Sequence, residues 1–164
     1  MATLTMTQTG ANVKRGLVSR ILATDSSTAA TILRVVLGLV ILPHGAQKIL
    51  GWFGGYGFDG TVGFLSSSLG IPPFLAALSP LTEFFLAIAL IVGLGTRFAA
   101  FAMAINMLVA ASVHIGNGFF MNWTGAQAGE GFEYHLLVIA MSVVLMITGG
   151  GKASLDRVIS NDRS

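Results

Sequence analysis

Residues 74–94 read FLAALSPLTEFFLAIALIVGL, an apolar run whose single charge is Glu83 and whose single proline is Pro80. A bilayer core is spanned by about 20 residues of helix rising 1.5 Å each, so the run is predicted to cross a membrane. A carboxylate near the centre of such a helix costs at least ~2–3 kcal/mol. Glu83 must therefore face the protein interior and find a partner there. Three further runs have the same character, Ala29–Leu50, Phe98–Ile115 and His135–Gly149. The chain is predicted to be all-α, an integral membrane four-helix bundle. Composition agrees: 54% of its 164 residues are hydrophobic and 10% charged, against roughly 25% charged in soluble proteins, and its mean hydropathy is +0.80.

The links between the runs differ in kind. Gly95, Thr96 and Arg97 make a tight turn, whereas Gly51–Pro73 and Gly116–Tyr134 are long, glycine-rich and aromatic, with Trp52, Phe53, Tyr56 and Phe58 in one and Phe119, Phe120, Trp123 and Phe132 in the other. Tryptophan and tyrosine favour the headgroup layer, so both are expected to lie on the bilayer surface. Eight of the nine Lys and Arg residues fall on the opposite side: Lys14, Arg15, Arg20, Arg34, Arg97, Lys152, Arg157 and Arg163. By the positive-inside rule both termini are predicted to be cytoplasmic and both long loops to face outward. The chain divides into a basic leader (1–28), a membrane domain (29–150) and a cytoplasmic tail (151–164). Gly149, Gly150 and Gly151 read as a helix stop before that tail. The leader shows no apolar core with a cleavage site. Val13, Leu17 and Ile21 recur in it at helical spacing beside Lys14, Arg15 and Arg20, as in an interfacial helix or, equally, a basic tail.

Zero cysteines exclude disulfides, thiolate metal sites and thiol relays. No basic patch interleaved with aromatics is present, so nucleic acid is not an expected partner. The remaining chemistry lies in a few polar residues. His44, Gln47 and Lys48 are spaced i, i+3, i+4 and share one helix face. His114 closes the third run, and Glu133, Tyr134 and His135 open the fourth. Together they form a predicted outward-opening polar column, deep at Glu83 and shallow at His114 and His135. Lys48, near a helix end, has the reach to carry its ammonium to water or to pair with Glu83. His44, between them in depth, is the expected partner of Glu83. His114, His135 and Glu133 are read as interfacial hydrogen-bonders in preference to metal ligands. Ala99, Ala100, Ala102 and Ala104 would let helices approach closely, within one bundle or in a homo-oligomer.

Several separate stretches carry a family resemblance. They are Leu33-Arg34 through Gly38; His44-Gly45-Ala46-Gln47-Lys48 with Gly51-Trp52-Phe53; Glu83 with Gly93-Leu94-Gly95-Thr96-Arg97; Gly118 through Trp123; Glu130 through His135; and Gly150-Gly151-Lys152 with Ser154-Leu155-Asp156. In order and content they resemble the DoxX family over Ile32–Asp156. The resemblance implies a small four-helix protein of a bacterial inner membrane, similar to the membrane subunit of a thiosulfate:quinone oxidoreductase. Other relatives sit in membrane complexes with superoxide dismutase and a sulfurtransferase.

The first functional expectation is a redox-associated subunit with a quinone or small-substrate site opening outward. Glu83 and His44 would exchange protons there. Lys48 would attract an anionic substrate, Trp123 and Tyr134 would flank a ring, and Gln47, Asn122, Glu130, Glu133 and His135 complete the candidate contacts. The alternatives are a scaffold in the bilayer that recruits soluble redox enzymes or partner subunits, and a small transporter.

Overall fold

The structure is a computed structural model and describes residues 22–161. The leader pattern of Val13, Leu17 and Ile21 with Lys14, Arg15 and Arg20 lies outside the described residues, as does Arg163. The first long helix, α1, runs Thr28–Leu50. It starts where the Ser27 hydroxyl accepts a hydrogen bond from the Ala30 amide at 3.2 Å, a cap that satisfies one free donor of the first turn. It stops at Gly51, whose φ of 69° is left-handed. The second long helix, here α3, spans Pro73–Val92. The third, α4, covers Thr96–His114, and α5 covers Glu133–Thr148.

One element departs from expectation. The link predicted as a loop over Gly51–Pro73 contains a 13-residue helix, α2, at Gly57–Leu69. Its sequence, GFDGTVGFLSSSL, is rich in glycine and serine, weak helix formers that read locally as loop. The fourth long helix has 16 residues, about 24 Å at 1.5 Å per residue, against a core of ~30 Å. Its ends continue into packed polar backbone, an arrangement tolerated at membrane depth only where protein surrounds it.

α1 packs closely on α3 and α4 closely on α5. Leu37, Ile41, Ala87, Leu90, Ala100, Met103, Val138 and Leu145 form the core between them. Ala99, Ala100 and Ala104 are buried there, so these three small residues of α4 serve contacts within the bundle. Outward, Ile32, Leu39, Phe85, Phe98, Leu137 and Ile147 are each more than half exposed. An apolar surface wrapped around every long helix belongs in lipid.

The α1–α3 contact depends on two glycines two turns apart. A Cβ on Gly38 would lie 2.7 Å from the Ala87 carbonyl oxygen, and one on Gly45 would lie 2.5 Å from the Phe84 amide nitrogen. Gly45 thus lets α1 touch the backbone of α3 beside Glu83. Gly45→Ala is expected to push the helices apart and destabilise the bundle by about 1–3 kcal/mol, read as a lower thermal unfolding midpoint in detergent. An unchanged midpoint would contradict so close a contact.

The end opposite the long connections is closed by a buried arginine. Arg34, 1% exposed, donates from Nε to the Gly150 carbonyl at 2.6 Å, from Nη1 to the Leu90 and Ile91 carbonyls at 2.8 and 2.5 Å, and from Nη2 to Ala153. These carbonyls lie at the end of α3 and in the chain following α5, where helix geometry leaves acceptors unpaired. Asp156, also buried, accepts from the Gly95 and Thr96 amides at 2.6 and 2.8 Å and so caps α4. Its own amide donates to the Gly93 carbonyl at 2.9 Å. The short helix α6, Leu155–Asn161, is held against the bundle by these bonds.

Candidate functional site

Glu83 sits in a π-helical turn, Thr82–Leu86, that interrupts α3. Pro80 precedes it, and a proline inside a helix removes a backbone donor and crowds the preceding turn. Such single-turn bulges recur at functional sites. Glu83 is 2% exposed. Its Oε1 accepts from Lys48 Nζ at 2.5 Å, from Asn106 Nδ2 at 3.0 Å and, more weakly, from Ser79 Oγ at 3.4 Å. Lys48, not His44, is the partner of Glu83. The lysine lies one turn beyond His44 on α1, and with Gly45 pressed to α3 its long stem reaches down to the carboxylate. The His44 ring instead faces Tyr134, 6.1 Å between centroids.

Above this pair is a cavity of about 130 Å³, lined by Ile41, His44, Lys48, Glu83, Met107, Ala110, His114, Tyr134 and His135. Its residues come from α1, α3, α4 and α5, toward the end that carries the long connections. The His114 and His135 rings stack at 5.1 Å with 27° between planes. His114 Nδ1, His135 Nδ1 and the Tyr134 hydroxyl are buried with no hydrogen-bond partner of good geometry among the described residues. A buried polar group left unpaired costs about 1–3 kcal/mol, and all three belong to residues that line the cavity.

The structure therefore gathers Glu83, His44, Lys48, Tyr134, His135 and His114 from the predicted column. The other predicted contacts stand apart from the cavity. Gln47 donates to the Phe53 carbonyl at 3.4 Å. Glu133 Oε1 accepts from the Met121 amide at 2.9 Å and from Trp123 Nε1 at 3.2 Å. Glu130 Oε2 accepts from the Asn122 amide at 2.8 Å, and Asn122 exchanges two bonds with the Gln127 backbone at 2.9 and 3.1 Å. Asn122, Trp123, Glu130 and Glu133 thus organise the loop between α4 and α5, and Trp123 is 85% exposed. Glycine-rich backbone offers many free amides, and these acids satisfy them. Asn106 is a member of the site that the residue pattern also signals, as the lone amide in an apolar helix, but only the packing shows what it holds.

The model of the DoxX family matches residues 29–123. A curated relative, "Putative oxidoreductase CatD" of Bacillus subtilis (strain 168), is 27% identical over 126 residues, covering 76% of this chain and 82% of that protein. No solved structure matches.

Proposed function

The chain belongs to the DoxX family, and on that premise we propose that it is a redox-associated membrane subunit binding a quinone ring in the cavity between α1, α3, α4 and α5. The observation that carries the reading is the meeting of an acid–base pair with His114, Tyr134 and His135 as walls of one cavity. The printed name of the relative from Bacillus subtilis, "Putative oxidoreductase CatD", points the same way. An apolar cavity of roughly 150 Å³ accepts benzene, so a partly open space of about 130 Å³ is on the scale of a single small ring, whereas drug-sized sites run to ~300–1,000 Å³. Ile41, Met107 and Ala110 offer apolar contact to a ring's faces. Tyr134, His114 and His135 at one end, and Lys48 with Glu83 at the other, offer hydrogen bonds to its edges.

The charge balance favours a neutral guest over an anion. Lys48 is matched by Glu83 at 2.5 Å, which leaves little net positive charge to recruit one. A quinone, when bound, is a carrier for two electrons and two protons. The chain's residues would hold and pass the protons: Glu83 as acceptor, Lys48 as its counter-charge, and the His114–His135 stack as the link toward the loop end. With the basic residues clustered at the Arg34 end, that end faces the cytoplasm of a bacterial inner membrane, and the cavity opens outward.

Gentle detergent extraction is expected to bring a quinone with the wild-type protein, detectable by mass spectrometry. Glu83→Gln is expected to insert and fold but to lose quinone-dependent turnover in membranes. Protein free of quinone, with turnover in the variant unchanged, would sink the reading. The exposed Tyr56, Phe53 and Trp123, between 71% and 85% accessible, favour as a second reading a scaffold that docks soluble redox enzymes. Under it the same variant keeps its co-purifying partners and its turnover.

A further inference from the structure

The two oxygens of the Glu83 carboxylate are used unequally. All three donors that reach it, from Lys48, Asn106 and Ser79, converge on Oε1. No described residue donates to Oε2, although Glu83 is a wall of the cavity and its side chain is only 3% exposed. A carboxylate paired with an ammonium is an acceptor only. The fold therefore fixes one oxygen and leaves the other without a donor, on a residue that lines the cavity.

We propose that Glu83 Oε2 is the docking acceptor for a hydroxyl group of the bound ring, so that the site holds the reduced, hydroxyl-bearing form of its guest more tightly than the carbonyl form. The inference rests on the quinone reading above and adds a direction to it. A hydroquinone places an O–H donor against Oε2. A quinone places a carbonyl oxygen there, acceptor against acceptor. The opposite wall discriminates less, because the Tyr134 hydroxyl serves a hydroxyl or a carbonyl equally.

Lys48 is the one group whose remaining N–H bonds could favour a carbonyl. Its side chain is 36% exposed, so those bonds can reach water, whereas Oε2 has only the cavity. Asn106 acts as a positioning residue. By holding Oε1 from α4, it keeps Oε2 turned toward the guest.

A hydrogen bond to a charged group changes affinity by roughly 10- to 100-fold, and that ratio is the expected preference for the reduced form. For a two-electron couple each tenfold raises the midpoint potential of the bound couple by about 30 mV. The test uses the full-length protein in lipid nanodiscs under anaerobic conditions. It is titrated separately with a short-chain benzoquinone and with its hydroquinone, following intrinsic tryptophan fluorescence and calorimetric heat. The hydroquinone is expected to bind more tightly to the wild type. Glu83→Gln, whose amide both donates and accepts, should level the two affinities, and Asn106→Ala should reduce the preference while retaining binding.

Equal binding of the two forms, or tighter binding of the quinone, by the wild type overturns the inference and leaves the quinone reading standing. Failure of both forms to bind overturns the reading and the inference together. The wild-type comparison decides the matter even if a variant does not fold.

Discussion

Arg34→Met is expected to lower the stability of the folded bundle by about 3–5 kcal/mol, the largest effect of any single substitution away from the cavity. The guanidinium serves carbonyls of Leu90, Ile91, Gly150 and Ala153 from a position 1% exposed. Methionine fills much of the volume but leaves those acceptors without their donor. Arg34→Lys should recover only part of the loss, because one ammonium cannot reproduce a planar fork that bonds in three directions. Thermal unfolding in detergent reads both variants. A Met variant that melts with the wild type would remove Arg34 from this role.

Lys48→Met carries the second large effect. It leaves Glu83 with Asn106 and Ser79 as donors but without its counter-charge, in a site from which water is largely excluded. Breaking a fully buried pair costs ~3–5 kcal/mol. Lys48 is 36% exposed and so partly screened, which reduces the expected loss to about 2–3 kcal/mol. The informative comparison is the double variant Lys48→Met, Glu83→Gln, in which no charge remains to be stranded. It should regain most of the stability, giving a coupling energy of at least ~1 kcal/mol in the double-mutant cycle. Simple additivity of the two losses would mean that the pair does not interact as the 2.5 Å distance implies.

The four long helices are legible in the residues because apolar runs of membrane length admit few alternatives. The segment Gly57–Leu69 is not, since its glycines and serines weaken the local signal and its contacts with α1 and α3 hold the helix. The site was half legible. An ionisable group in an apolar run announces itself, and Glu83, His44 and Lys48 do line one cavity. Which of them pair depends on how closely two helices approach, and that is decided at Gly45, whose significance is invisible until a neighbour is placed against it. In the sequence Arg34 reads as one more positive charge on the basic side. Nothing in its spacing distinguishes an arginine at the interface from one threaded among helix ends. Glu130 and Glu133 resemble ligand contacts for the same reason that they are useful to the loop: acids beside glycine-rich backbone find amides.

The bonds of Arg34 also impose an order on biosynthesis. The arginine enters the membrane with the first helix, but two of its four acceptors, Gly150 and Ala153, and the Asp156 carboxylate that caps α4, emerge from the ribosome only after the last long helix has been made. Until then the nascent bundle has a guanidinium with half its acceptors missing and an α4 without its cap. Closure at that end is a late event of maturation, and it joins α1 to the segment that follows α5.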